Sequence, residues 1–144
     1  MDFEKNESDI KAFIKKSFEE ELTGKSLALP GEYVSDAVDL DVHTKSITVF
    51  ENFSDYQFEQ LSNESRTASY KLTIYIVLRN KKPGELHTDM LRYATAFYKV
   101  AAENNTFAGL VDFADVSTVT FYEMAEANEA VKVAELNITL KQED

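Results

Sequence analysis

The residues from Tyr70 to Leu78 constrain this chain more than any others. Tyr70, Leu72, Ile74, Ile76 and Leu78 alternate with Lys71, Thr73, Tyr75 and Val77, and Arg79 continues the second series. A period of two is the signature of an extended strand, because successive side chains leave opposite faces of a sheet. One face here is wholly apolar and the other is mixed. That combination suits a strand inside a sheet that is covered by other elements mainly on one side.

Val131 to Lys141 repeats the pattern, with Ala134, Leu136, Ile138 and Leu140 on one face and Val133, Glu135, Asn137 and Thr139 on the other. Val116 to Ala125 precedes it across the short polar stretch Glu126-Ala127-Asn128-Glu129, so the two read as an antiparallel hairpin. Ser46 to Phe53, rich in β-branched and aromatic residues, reads as a further strand. The polar stretch Ser54 to Ser69 reads as a partly ordered connection, and Asn80-Lys81-Lys82-Pro83-Gly84 as a strand stop.

Two segments have helical spacing instead. In Ser8–Leu22 the apolar residues are Ile10, Phe13, Ile14, Phe18 and Leu22, with Ser8 placed to cap and Gly24 just past the end. In Glu85–Asn104 they are Leu86, Met90, Leu91, Ala94, Phe97, Tyr98 and Ala101, with Asn104-Asn105 as a left-handed stop. Leu27 to Thr44 shows no clear period and reads as loop with one edge strand, for which Tyr33-Val34, Ala37-Val38 and the alternating Asp39–Thr44 are the candidates. The element order is α-β-β-α-β-β. This predicts an α+β fold, a mostly antiparallel sheet of four or more strands packed with two helices.

A chain of 144 residues buries about 68–70% of its unfolded surface, enough for one core, and a single domain over 1–144 is expected. The formal charge is −11, from 15 basic and 26 acidic residues, which opposes a nucleic-acid clamp. Cysteine is absent, which excludes disulfides, a thiol nucleophile and Cys-based metal sites. No signal peptide and no membrane-spanning stretch are read in the sequence.

Four groups of residues are candidate sites. Asp36, Asp39, Asp41 and His43 resemble a metal cluster, since Asp39, Asp41 and His43 share one face if the segment is extended. The glycine and terminal glutamate of a calcium loop are missing, and a solvated edge strand explains the same residues, so no metal or other cofactor is assigned. His87 has no convergent nucleophile, nor does the chain carry a nucleophile elbow, a P-loop or a dinucleotide-binding glycine pattern, which leaves it an exposed helix residue in a non-enzyme. Arg66, Lys71, Arg79, Lys81 and Lys82, with Tyr70 and Tyr75 among them, form the densest basic stretch, but the overall charge argues against single-strand binding. Phe50, Phe53, Tyr56 and Phe58 exceed what one strand end needs for a core and are the interface candidates.

The order of elements also resembles a known family. A first helix, the strand Ser46-Ile47-Thr48-Val49-Phe50-Glu51-Asn52-Phe53, a polar stretch, the long strand Thr67–Val77, a second helix and a closing hairpin ending in Ala134–Leu140 are similar to small tail terminator and neck proteins of long-tailed phages and prophages. The resemblance runs from Ile10 to Leu140 and leaves Leu27–Thr44 unaligned. It implies a non-enzymatic structural protein that forms a homo-oligomeric ring, by resemblance a hexamer. Such a ring caps the tail tube and joins it to head-connector proteins, in the virion or in the host cytoplasm during assembly. DNA would pass through without sequence-specific binding, and an acidic lining would repel its phosphates. The alternative is an acidic antagonist of a basic partner, similar to a toxin-neutralising immunity protein.

Overall fold

The computed structural model describes residues 1–79, 83–126 and 129–144. Two helices, α1 (Phe3–Gly24) and α2 (Pro83–Glu103), pack with five strands: β1 (Glu32–Val34), β2 (Ile47–Gln60), β3 (Arg66–Arg79), β4 (Phe113–Glu126) and β5 (Glu129–Glu143). The strands form one sheet in the order β1-β2-β3-β5-β4. β1 runs parallel to β2, and every other neighbouring pair is antiparallel. The fold is α+β, as the sequence patterns predict, but the sheet is mixed and the order is α-β-β-β-α-β-β.

Of the strand candidates in Leu27–Thr44, Tyr33-Val34 is the one that forms, and Asp39–Thr44 is not. The extended piece is Glu32–Val34, whereas Leu40 to Val42 form a turn. There the Asp39 carboxylate accepts from the backbone N–H groups of Asp41 and Val42, at 3.0 and 3.3 Å. An aspartate that satisfies the backbone locally competes against an extended strand. Asp39–Thr44 is therefore not an edge strand.

The alternation of Tyr70–Leu78 sorts the two faces of the sheet. Tyr70, Leu72, Ile74, Ile76 and Leu78 are all buried, with Leu136, Ile138 and Leu140 of β5 beside them. Both helices cover this face, α1 with Ile10, Ile14, Phe18 and Leu22, and α2 with Leu86, Met90, Ala94 and Phe97. The helices meet where the Phe18 and Phe97 rings pack edge to face, 5.1 Å apart. Burying each of these large side chains contributes about 1.5–3 kcal/mol. Leu91 and Tyr98 have helical spacing yet are exposed, so the apolar stripe of α2 is wider than its buried face.

Other boundaries shift for identifiable reasons. α1 begins at Phe3, capped by the Asp2 carboxylate on the Lys5 N–H (3.0 Å), not at Ser8, and it includes Gly24. α2 begins at Pro83, a residue whose missing N–H costs nothing in the first turn. After α2 the left-handed residues are Phe107, Ala108 and Gly109, not Asn104-Asn105. Phe107 holds that conformation with its ring fully buried and stacked on Phe13, centroids 5.1 Å apart.

The largest correction concerns Ser54–Ser69. β2 continues to Gln60 and β3 starts at Arg66, so most of the expected connection is a long hairpin. A register shift between Ser54 and Gln57, with Asp55 at φ 58°, marks a β-bulge. The polar composition reflects exposure, because β2 runs out along the sheet margin there. Ala127 and Asn128 of the expected β4–β5 connector, and Asn80, Lys81 and Lys82, lie outside the described residues.

Candidate functional site

The bulge in β2 decides where the interface candidates go. Phe53 is opposite Leu72 and Phe58 is opposite Ala68, both on the helix-covered face, although the two phenylalanines are five positions apart and strict alternation would put them on opposite faces. The extra bulge residue restores them to one side. Tyr56 joins them, stacked on Tyr70 with centroids 4.6 Å apart. Phe3 of α1 lies edge-on to Tyr56 and Phe58, at 4.7 and 6.2 Å, and the Arg66 guanidinium lies 4.9 Å from the Phe58 ring centroid.

Hydrogen bonds fix the cluster against α1. The Tyr56 hydroxyl donates to Glu7 (3.1 Å), and Asn6 donates to the Tyr70 hydroxyl (3.1 Å), which also bonds Gln142. Burial and the nearby Glu7 carboxylate push the Tyr56 phenol up, while burial does so for Tyr70. Both stay neutral and structural at ordinary pH. Of the four candidates, Phe58 is exposed, at 36%, while Phe53 and Tyr56 are partly buried against the core. Phe50 is opposite Tyr75 on the other face and is fully buried, so its ring is core rather than interface.

Phe50 belongs to a second, smaller cluster with Val34, Val77, Val131 and Val133, which Leu40 and Tyr75 flank. The segment from 35 to 45 crosses this end of the sheet. His43 packs edge-on to Phe50 at 5.5 Å, and Arg79 donates to the Leu40 carbonyl while its guanidinium lies 3.2 Å from Glu129. Asp39, Asp41 and His43 do not converge. His43 Nδ1 lies 3.0 Å from Glu32, Asp39 holds its turn, and no three His, Asp or Glu side chains come together to hold a metal ion among the described residues. His87 is exposed, with its ring 6.1 Å from that of Phe121.

Beyond the 35–45 segment this face of the sheet is open. A hollow of about 470 Å³ is lined by Val38, Tyr75, Tyr122, Met124, Val133 and Glu135, among others. It adjoins a second, of about 710 Å³, formed by Asp36 to His43 and shared at Val38 and Met124. Towards the opposite end the face turns polar: Thr73 donates to the Asn137 side chain (3.2 Å), which donates to Thr118 (2.8 Å).

Glu51 was not singled out by the sequence reading. It is 3% exposed, on the helix-covered face between Val49 and Phe53, and its Oε2 has no hydrogen-bond partner. Burial pushes its carboxyl up to about 7, against the opposing pull of Lys11 and Lys15 on α1. Position parity was the available signal, since Ile47, Val49, Glu51 and Phe53 alternate onto one face.

Among the described residues no helix is long and apolar enough to cross a membrane. Comparison with protein-family models and with curated proteins finds no match for this chain.

Proposed function

We propose that this chain is a structural protein of phage tail or neck assembly, closing head to tail into a ring that caps the tail tube and joins it to the head connector. The observation that carries the reading is that the sheet has two different open margins. β1 covers β2 only from Thr48 to Phe50, and the outer side of β4 pairs with no strand among the described residues. A subunit with two unlike edges can repeat one heterologous contact, and that contact closes into a ring when its rotation allows. Phe58 near one margin and Phe113 and Val119 on the other strand supply exposed apolar contact. The order of elements supports a hexamer by resemblance to tail terminators. The charge of −11 suits a lumen through which DNA passes without sticking.

Such a charge also opposes ring closure by free subunits at low ionic strength. Screening shortens the Debye length from roughly 30 Å at 0.01 M to about 10 Å at 0.1 M salt, so assembly strengthens with moderate salt. Size-exclusion chromatography with light scattering, across salt and protein concentration, tests this. A strict monomer that also fails to cap purified tail tubes overturns the proposal. The net charge favours a second reading, an acidic antagonist of a basic partner. That reading predicts a monomer whose complex weakens with salt.

A further inference from the structure

We propose that the groove on the helix-free face of the sheet is a docking site for a cationic segment of a partner protein, one in which lysines or arginines flank one or two aliphatic side chains. The groove has an apolar floor open to solvent: Met124 is 50% exposed, Tyr122 43% and Val38 39%. Two hollows of about 470 and 710 Å³ share Val38 and Met124, so they abut between the 35–45 segment and β4.

Charge selects the occupant. The charged residues of the two linings are Asp36, Asp39, Asp41, Glu123 and Glu135, with no lysine or arginine among the described residues. Glu123 already faces Lys132 at 2.9 Å, but Asp36, Asp41 and Glu135 have no basic partner among the described residues. A second copy of a chain with net charge −11 would bring like charges together here, and phosphates would be repelled. A cationic segment would instead place its charges on the rim while apolar side chains cover Met124 and Val38. Methionine adapts its shape to such contacts at little cost. The site lies at the end of the sheet away from the β2–β3 hairpin tip, and it is independent of ring closure: a monomer would bind as well.

The test is fluorescence anisotropy of a labelled peptide of mixed lysine and leucine, with a glutamate and leucine peptide and a single-stranded oligonucleotide as controls, at about 0.05 M ionic strength. The cationic peptide binds and the two controls do not. The triple variant Asp36→Asn, Asp41→Asn, Glu135→Gln weakens binding at least about tenfold. A control neutralising Glu4, Asp9 and Glu20 on α1 leaves it nearly unchanged. Met124→Ser weakens it several-fold with the thermal transition retained; if that variant unfolds, Val38→Ser is read in its place. Absence of peptide binding, equal losses in the groove and α1 variants, binding of the oligonucleotide, or self-association abolished by Met124→Ser would each overturn the proposal.

Discussion

Glu51 stands directly opposite Ile74 in the β2–β3 ladder, so a carboxyl group occupies a place in the apolar layer beneath the helices. Ile74 is fully buried and Glu51 is 3% exposed. Lys11 and Lys15 of α1 pull against the burial without forming an ion pair with it, and Lys11 Nζ lies 5.7 Å from the ring centroid of the neighbouring Phe53. The ionised carboxylate is therefore poorly compensated, and the neutral form is favoured in the folded protein.

A pH dependence follows from that placement. The carboxyl is raised from its ordinary 4.5 to about 7 on folding. Between those values the folded state binds more protons than the unfolded chain, so stability contributed by neutral Glu51 is present at low pH and lost as pH rises through about 7. Glu51→Gln removes this dependence. Its stability relative to the native sequence should improve by on the order of 3 kcal/mol from pH 4.5 to pH 8. Urea denaturation of both proteins across that range measures it, and parallel pH profiles would show that the carboxyl is not held neutral.

Ile74 itself is the test of the core. It lies on the central strand of the sheet, opposite Glu51 on one side and Leu136 on the other. Ile74→Ala should cost about 2–5 kcal/mol, because the surrounding strands cannot collapse onto the vacated space. A loss below about half a kilocalorie in denaturant titration would contradict that packing.

Phe58 and Phe53 should separate under mutation. Phe58 is exposed between Phe3 and Arg66, so Phe58→Ser should leave the thermal transition within a few degrees while weakening assembly. Phe53 is packed against the core, and Phe53→Ser should lower the transition markedly. Calorimetry and light scattering on the two variants distinguish a core aromatic from an interface one.

His87→Ala should change stability by no more than about half a kilocalorie and should leave assembly intact, because the imidazole is exposed. A turnover that disappears with this substitution would contradict the non-enzymatic reading.

What the sequence determined by itself were the elements whose periodicity is driven by burial on one side. Tyr70–Leu78, Ala134–Leu140 and the apolar stripes of both helices are legible because each faces a single continuous core. The interface candidates Phe50, Phe53, Tyr56 and Phe58 were visible as an aromatic excess, but their destinations only in part. Alternation separates Phe50 from Phe53, and the tertiary structure decided the rest through one bulge at Ser54–Gln57, which brings Tyr56 and Phe58 to the face of Phe53. It also decided the parallel placement of Glu32–Val34, a strand of three residues, too short to carry a period of its own. The groove joins Val38, Met124 and Glu135 from distant parts of the chain, and no local pattern encodes it. Local periodicity records which face is dry; it cannot record which distant segments meet there, because that depends on how bulges and strand order stack the faces.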